Sequence, residues 1–137
     1  MELYLLDDSL DELDLFEYVL KKINPTYELK KWSSVFDFMA SVQSEISAYP
    51  DFVFVDLNLS GNYAGVEIVR YLKKIQFPTQ CVLYSSSPAI EEFNFSFEDV
   101  CYFRKPIALA NFRESLKLLL KDPSIYYVPG SCSMSHK

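Results

Sequence analysis

The sequence predicts an α/β domain in which a five-stranded parallel sheet carries helices on both faces. Short apolar runs alternate five times with segments of helical periodicity, the pattern of a doubly wound sheet. Runs such as residues 52–55 are apolar at every position, which indicates strands buried on both faces. The length of 137 residues and the 50% hydrophobic content are sufficient for one domain with its own core.

The first half of the chain is predicted to form three strands and two helices. Apolar runs predict strands at residues 3–6, 27–32 and 52–55, and helical spacing predicts helices at residues 10–23 and 35–46. Ser9 is suited to cap the first helix, with Glu12 as its partner in a capping box. Asn24 and Pro25 end that helix, because the residue before a proline disfavours helical geometry.

The second half repeats the pattern less evenly. After a loop at residues 57–63 we expect a helix at 66–75, strands at 81–84 and 100–103, and a helix at 109–120. Residues 88–97 leave two options open, because a short helix is possible while Phe93, Phe95 and Phe97 alternate. Residues 122–137 contain prolines, a glycine and serines, and we expect a tail there that is too short for a further functional domain.

Polar side chains follow four of the five predicted strands. Asp7 and Asp8 follow the first, Asp56 the third, Ser85 the fourth and Lys105 the fifth. Ligands of such sheets bind at the carboxyl ends of the strands, so we expect these side chains to converge.

Together these groups suit phosphoryl transfer. Three close carboxylates repel one another and require a cation, and their hard oxygen ligands favour Mg²⁺. A lysine and a hydroxyl neutralise a phosphoryl group during transfer, and a carboxylate can serve as the nucleophile. Asp56 stands at the end of a rigid strand, where a phosphoryl donor can reach it.

In these motifs the chain resembles the receiver domain of two-component response regulators. The resemblance covers residues 2 to about 121 and rests on the pair Asp7-Asp8, the strand ending in Asp56, Ser85, and the Lys105-Pro106 pair. It implies a flavodoxin-like fold, with residues 1–121 as the receiver domain and residues 122–137 as a tail without an output domain.

The resemblance also implies roles for individual residues. Asp56 matches the phosphoacceptor, Asp8 a direct Mg²⁺ ligand and Asp7 a ligand acting largely through water, while the backbone carbonyl of Asn58 matches the group that completes the metal site. Asp56 itself is also expected to ligate the metal.

Three further positions match the family's phosphoryl-binding and switching residues. Ser85 and Lys105 match the residues that bind the phosphoryl group, and Tyr102 matches the aromatic residue that changes rotamer together with Ser85. One departure concerns the glycine that follows the phosphoacceptor, because Gly65 stands one place later than is usual.

The expected function is therefore that of a stand-alone response regulator. A sensor histidine kinase or a phosphotransfer protein would give its phosphoryl group to Asp56, and the domain would then switch a surface for an unidentified protein partner. A degenerate receiver that binds proteins without phosphorylation is the main alternative. A haloacid dehalogenase-type phosphohydrolase is a weaker one, because Asn58 replaces the acid/base aspartate that such an enzyme needs. The domain is not expected to be an enzyme. Its own chemistry would be at most self-phosphorylation and slow self-dephosphorylation.

Composition and the N-terminal sequence indicate which partners and which cellular compartment to expect. The net charge of −6 argues against a nucleic-acid surface. No apolar stretch is long enough to span a membrane, and the acidic N-terminus is unlike a signal peptide. The odd number of cysteines, three, favours reduced thiols, so we expect a cytoplasmic protein.

Overall fold

All five predicted strands form one parallel sheet in a computed structural model of the chain, which describes residues 1–44, 46–59, 64–85 and 99–127. The strands are β1 (Glu2–Leu6), β2 (Glu28–Trp32), β3 (Phe52–Asp56), β4 (Gln80–Ser85) and β5 (Val100–Arg104). Their order in the sheet is β2-β1-β3-β4-β5, and every neighbouring pair is parallel. The predicted flavodoxin-like α/β class is confirmed.

Four α-helices occur in the described part of the chain. They are α1 (Leu10–Ile23), α2 (Val35–Gln43), α3 (Ala64–Lys74) and α4 (Leu109–Lys121), and a 3₁₀ helix (Pro123–Tyr126) follows. The helix left open in the sequence between the last two strands falls within residues 86–98, outside the described residues. None of these helices is long and apolar enough to cross a bilayer.

The sheet separates two hydrophobic cores, one on each face. Alternate strand residues point to opposite sides, so Val53 and Val55 face α2 and α3 while Phe52 and Phe54 face α1 and α4. All four of these residues are almost fully buried. The uniformly apolar run of β3 is thus explained by helices covering both faces of a central strand.

The second helix ends earlier than the sequence predicts. The prediction extended it to residue 46, whereas α2 ends at Gln43. The Ser44 hydroxyl donates to the Ser41 carbonyl at 2.7 Å, and the Ser44 N–H reaches the same oxygen at 3.3 Å. This local pairing offers the backbone an alternative to a further helical turn. Ile46 still packs against the core that contains α2.

The first residues of the predicted tail pack on the sheet. The thiol of Cys101 lies 3.2 Å from the Pro123 carbonyl, and Tyr127 forms an antiparallel bridge with Cys101. The ring of Tyr126 lies 5.9 Å from that of Phe103. Residues 123–127 therefore contribute to the folded unit, and the division at residue 121 stays a prediction.

Candidate functional site

A polar pocket of about 250 Å³ lies at the carboxyl ends of the strands. It is lined by Asp7, Asp8, Ser9, Glu12, Asp56, Asn58, Tyr84, Ser85 and Lys105. All predicted metal-binding and phosphoryl-binding residues are among them, whereas the predicted switch residue Tyr102 is not. The convergence follows from the topology, because the carboxyl ends of parallel strands share one edge.

Backbone hydrogen bonds extend the sheet past the strand ends and hold the pocket residues in place. The Asp7 N–H donates to the Trp32 carbonyl at 3.1 Å, which fixes the turn after β1. The Lys105 N–H donates to the Ser85 carbonyl at 2.9 Å, which joins the ends of β4 and β5. The pocket walls are therefore continuous with the rigid sheet.

Three carboxylates meet in the pocket. Asp7, Asp8 and Asp56 each offer one oxygen, and these oxygens all lie within 4.8 Å of one another. Asp7 is buried, with 3% of its surface exposed. Its Oδ1 accepts a hydrogen bond from the Ser9 N–H at 2.9 Å, and its Oδ2 accepts one from the Tyr84 hydroxyl.

Asp56 ends β3 and is partly open to solvent. Its Oδ1 accepts a hydrogen bond from the Asn58 N–H at 3.2 Å. Burial and then the negative charge of Asp7 raise the pKa of the Asp56 carboxyl to about 6, against the lowering effect of the Asn58 N–H. The carboxylate is therefore mostly ionised at neutral pH but held in an unfavourable, strongly negative environment.

The N-terminal end of α3 packs closely against the backbone of Asp56. A Cβ added to Gly65 would lie 2.1 Å from the Asp56 carbonyl oxygen and 2.9 Å from its carbon. The Gly65 N–H also donates to the Leu57 carbonyl at 3.3 Å. Only glycine allows this approach, so Gly65 fits α3 against the strand end that presents Asp56.

Among the described residues that line the pocket, Lys105 supplies the cation. Its ammonium group lies 5.7 Å from the centre of the Tyr84 ring and 5.9 Å from that of Phe112, and it forms an ion pair with Glu12. Burial lowers the pKa of the Lys105 ammonium, while the charge of Asp7 opposes this effect. Beside it, Ser85 is buried with 5% of its surface exposed.

Three pocket residues were not predicted as site residues: Ser9, Glu12 and Tyr84. Tyr84 precedes Ser85 and was assigned only to a buried strand, yet its hydroxyl bonds Asp7. Glu12 was assigned to a capping box, yet its carboxylate pairs with Lys105. Only the Ser9 half of the box is formed, in which the Glu12 N–H donates to the Ser9 hydroxyl at 3.3 Å. The Ser9 N–H bonds Asp7 instead, and spacing along the chain does not reveal this competition.

Tyr102 lies on β5 outside the pocket lining. It packs against the core that contains α2 and α3, and burial raises the pKa of its phenol so that the side chain stays neutral. In the register of β4 and β5, Tyr102 is paired with Leu83 and Arg104 with Ser85. One strand pair therefore carries both Ser85 and Tyr102.

The donor set of the pocket fits a hard divalent cation. Three carboxylate oxygens lie close enough to share one ion, and oxygen ligands of this kind suit Mg²⁺. After burial, the charges of Asp7 and Asp8 also contribute to the raised pKa of Asp56, because they disfavour its ionised form. A bound cation would relieve this repulsion.

Comparisons with known proteins identify the fold through structure. No protein-family model matches the chain, and no curated protein matches it significantly. Among solved structures, a response regulator receiver protein from Pseudoalteromonas atlantica is 18% identical with a TM-score of 0.65, covering 88% of this chain and 98% of that one. A response regulator from Thermotoga maritima in complex with Mg²⁺ and BeF is 18% identical with a TM-score of 0.64, covering 86% and 97%.

A third similar structure is the phosphorylated cyanobacterial phytochrome response regulator. It is 20% identical with a TM-score of 0.67, and the match covers 88% of this chain and 91% of that one. Each of these matches covers most of this chain and most of the similar structure. The chain has the CheY-like fold of response regulator receiver domains.

Proposed function

We propose that the chain is a response regulator receiver that accepts a phosphoryl group on Asp56 in two-component signalling. The observation that carries the proposal is the convergence, in one strand-end pocket of this fold, of Asp56 with two further carboxylates, a buried serine and a lysine. The donor would be the phosphohistidine of a sensor kinase or of a phosphotransfer protein.

The pocket residues would share the transfer as follows. An oxygen of the ionised Asp56 attacks phosphorus, and the bond from phosphorus to the donor's histidine nitrogen breaks, with its electron pair leaving on that nitrogen. No general base is needed, because the pKa of Asp56 lies below neutral pH. Lys105 offsets the negative charge on the phosphoryl oxygens, and the Ser85 hydroxyl donates a hydrogen bond to one of them.

Mg²⁺ is the proposed cofactor of this site. Asp8 and Asp56 would hold it directly, Asp7 largely through water, and the backbone carbonyl of Asn58 would complete the set. The ion would supply positive charge that offsets the carboxylates and the phosphoryl oxygens. The Mg²⁺ and BeF complex of the Thermotoga protein, which has the same fold, supports this choice.

The signal would leave the pocket through β4 and β5. Ser85 would move towards the phosphoryl group on Asp56, and Tyr102 would turn into the space that this movement vacates. The support is that the two residues lie on paired strands, so a local change in charge is coupled to a second side chain. A partner protein would bind the face that this change alters.

A binding module that works without phosphorylation is the second candidate. It is favoured by one observation, the ion pair with Glu12 that already engages Lys105. The phosphohydrolase alternative has less support, because residue 58 supplies an amide, which does not act as an acid or base at neutral pH.

Intact mass spectrometry tests the proposal. After exposure to a small phosphodonor such as acetyl phosphate, the parent should gain the mass of one phosphoryl group with Mg²⁺ and not with a chelator. Asp56→Asn keeps the shape of the side chain but removes the nucleophile, so it should gain none. Equal labelling of both proteins, or no labelling of the parent with several donors, would favour the binding module.

A further inference from the structure

The side chains of Glu12 and Lys105 form an ion pair inside the phosphoryl pocket. The Lys105 side chain is 9% exposed and that of Glu12 is 37% exposed. Both residues line the pocket together with Asp56 and Ser85. The ammonium group assigned to the phosphoryl oxygens thus already has an anionic partner supplied by the chain itself.

Local structure at the start of α1 makes Glu12 available for this contact. In a complete capping box the Glu12 carboxylate would accept the Ser9 N–H. Here that N–H donates to Asp7 at 2.9 Å, so the cap does not require the Glu12 side chain. The Ser9 hydroxyl still accepts the Glu12 N–H, which fixes the backbone of Glu12 at the edge of the pocket.

A phosphoryl group and Glu12 would make conflicting demands on Lys105. The residues lining the pocket include four carboxylates, Asp7, Asp8, Glu12 and Asp56, and one ammonium group. A phosphoryl group on Asp56 adds further negative oxygens. Placing it beside a Lys105 that still holds Glu12 would bring two anions together in a partly buried space, which is unfavourable.

We propose that Glu12 is an internal competitor of the phosphoryl group for Lys105. Phosphorylation at Asp56 transfers Lys105 from Glu12 to a phosphoryl oxygen, and Glu12 then turns outwards to solvent. Glu12 therefore acts on the phosphoryl group through Lys105, as a positioning residue that weakens phosphoryl binding. The released carboxylate leaves an unpaired negative charge in the first turn of α1. This helix covers the opposite face of the sheet from Tyr102. This inference rests on the proposed phosphoacceptor function.

The test compares two glutamates of α1, each of which pairs with a lysine outside that helix. Glu12→Gln removes the competing charge with little change of shape. Glu17→Gln is the matched control, because Glu17 lies on the same helix, pairs with Lys31 at 2.8 Å and lies outside the pocket lining. Both variants change the net charge equally. Affinity for beryllium fluoride, a phosphoryl mimic, is measured by calorimetry at saturating Mg²⁺, and affinity for Mg²⁺ alone is measured separately.

Glu12→Gln should lower the dissociation constant for beryllium fluoride about fivefold, the size expected for one partly exposed ion pair. Glu17→Gln should stay within about twofold of the parent for both ligands. Glu12→Gln removes one of the carboxylates that line the pocket, so its Mg²⁺ affinity should not rise, and tighter binding of the mimic cannot then come from tighter binding of the metal. Unchanged or weaker binding of the mimic by Glu12→Gln, while the parent is labelled on Asp56, would overturn the competition and leave the phosphoacceptor function standing. If the parent neither binds the mimic nor accepts a phosphoryl group, the competition by Glu12 and the phosphoacceptor function are both contradicted.

A double-mutant cycle tests the ion pair itself. The free energy of unfolding in urea is measured for the parent, Glu12→Gln, Lys105→Met and the double variant without added ligands. We expect non-additive effects, because each single change leaves the partner charge without its ion-pair contact. Additive effects would mean that the two groups do not interact, which would overturn the proposal.

Discussion

At the scale of single residues, the position of Asp56 favours ligand binding and lowers the stability of the folded protein. Its burial and the neighbouring Asp7 charge raise the pKa to about 6, so the ionised carboxylate destabilises the folded protein. The same negative environment is what a cation would neutralise. The position is thus better explained by binding than by stability.

Replacing Asp56 by asparagine should therefore stabilise the metal-free protein at neutral pH. Because the folded-state pKa lies above the unfolded value, the folded state binds the proton more tightly, and stability is lost as pH rises from about 4 to about 6. The Asn side chain avoids this loss. We expect a gain of about 1 kcal/mol in the free energy of unfolding at about pH 8, after allowing for solvent screening.

Urea unfolding with a chelator present measures this difference. The advantage of Asp56→Asn should be mostly lost by about pH 3, which lies below both the folded and the unfolded pKa of the Asp56 carboxyl, so that the parent carboxyl is largely protonated in both states. Asp51→Asn is a useful control, because Asp51 precedes the same strand and lies on the exposed surface outside the pocket lining. A parent more stable than Asp56→Asn at about pH 8 would contradict the assigned environment.

At the scale of secondary structure, the N-terminal ends of α1 and α3 contact the strand ends that carry Asp7 and Asp56. Ser9 caps α1 beside Asp7, and Gly65 lies against the backbone of Asp56 at the start of α3. Sequence reasoning identified Ser9 from its cap chemistry. It also noted Gly65, but the close approach to Asp56 is a tertiary contact that local sequence does not encode.

Gly65→Ala should destabilise the protein. A helical glycine with free space around it gains up to about 1 kcal/mol from this change, because alanine has the higher helix propensity. Here the new Cβ would overlap the Asp56 carbonyl, so we expect a loss of about 1–3 kcal/mol instead. Urea unfolding gives the sign, and a stabilised Gly65→Ala variant would show that α3 is not packed against Asp56.

At the scale of the whole molecule, the fold was predictable and part of the site was not. Periodicity identified the strands and all four described helices, since buried parallel strands and amphipathic helices differ in their repeats. The predicted strands also showed that Asp56, Ser85 and Lys105 lie at strand ends. Because the carboxyl ends of parallel strands meet at one edge of the sheet, these residues were expected to converge. The C-terminal end of α2 and the contacts of Glu12 and Tyr84 were missed, because they depend on which of several possible partners each polar group contacts.

The central claim, that Asp56 accepts the phosphoryl group, is tested most directly by locating the modified residue. Borohydride reduces an aspartyl phosphate to homoserine and releases phosphate, which leaves a stable mark at the acceptor. After phosphodonor and Mg²⁺ treatment, peptide mass spectrometry should find homoserine at position 56 and none at Asp7 or Asp8. Homoserine at either of those positions, or at no position in a folded parent, would contradict the account.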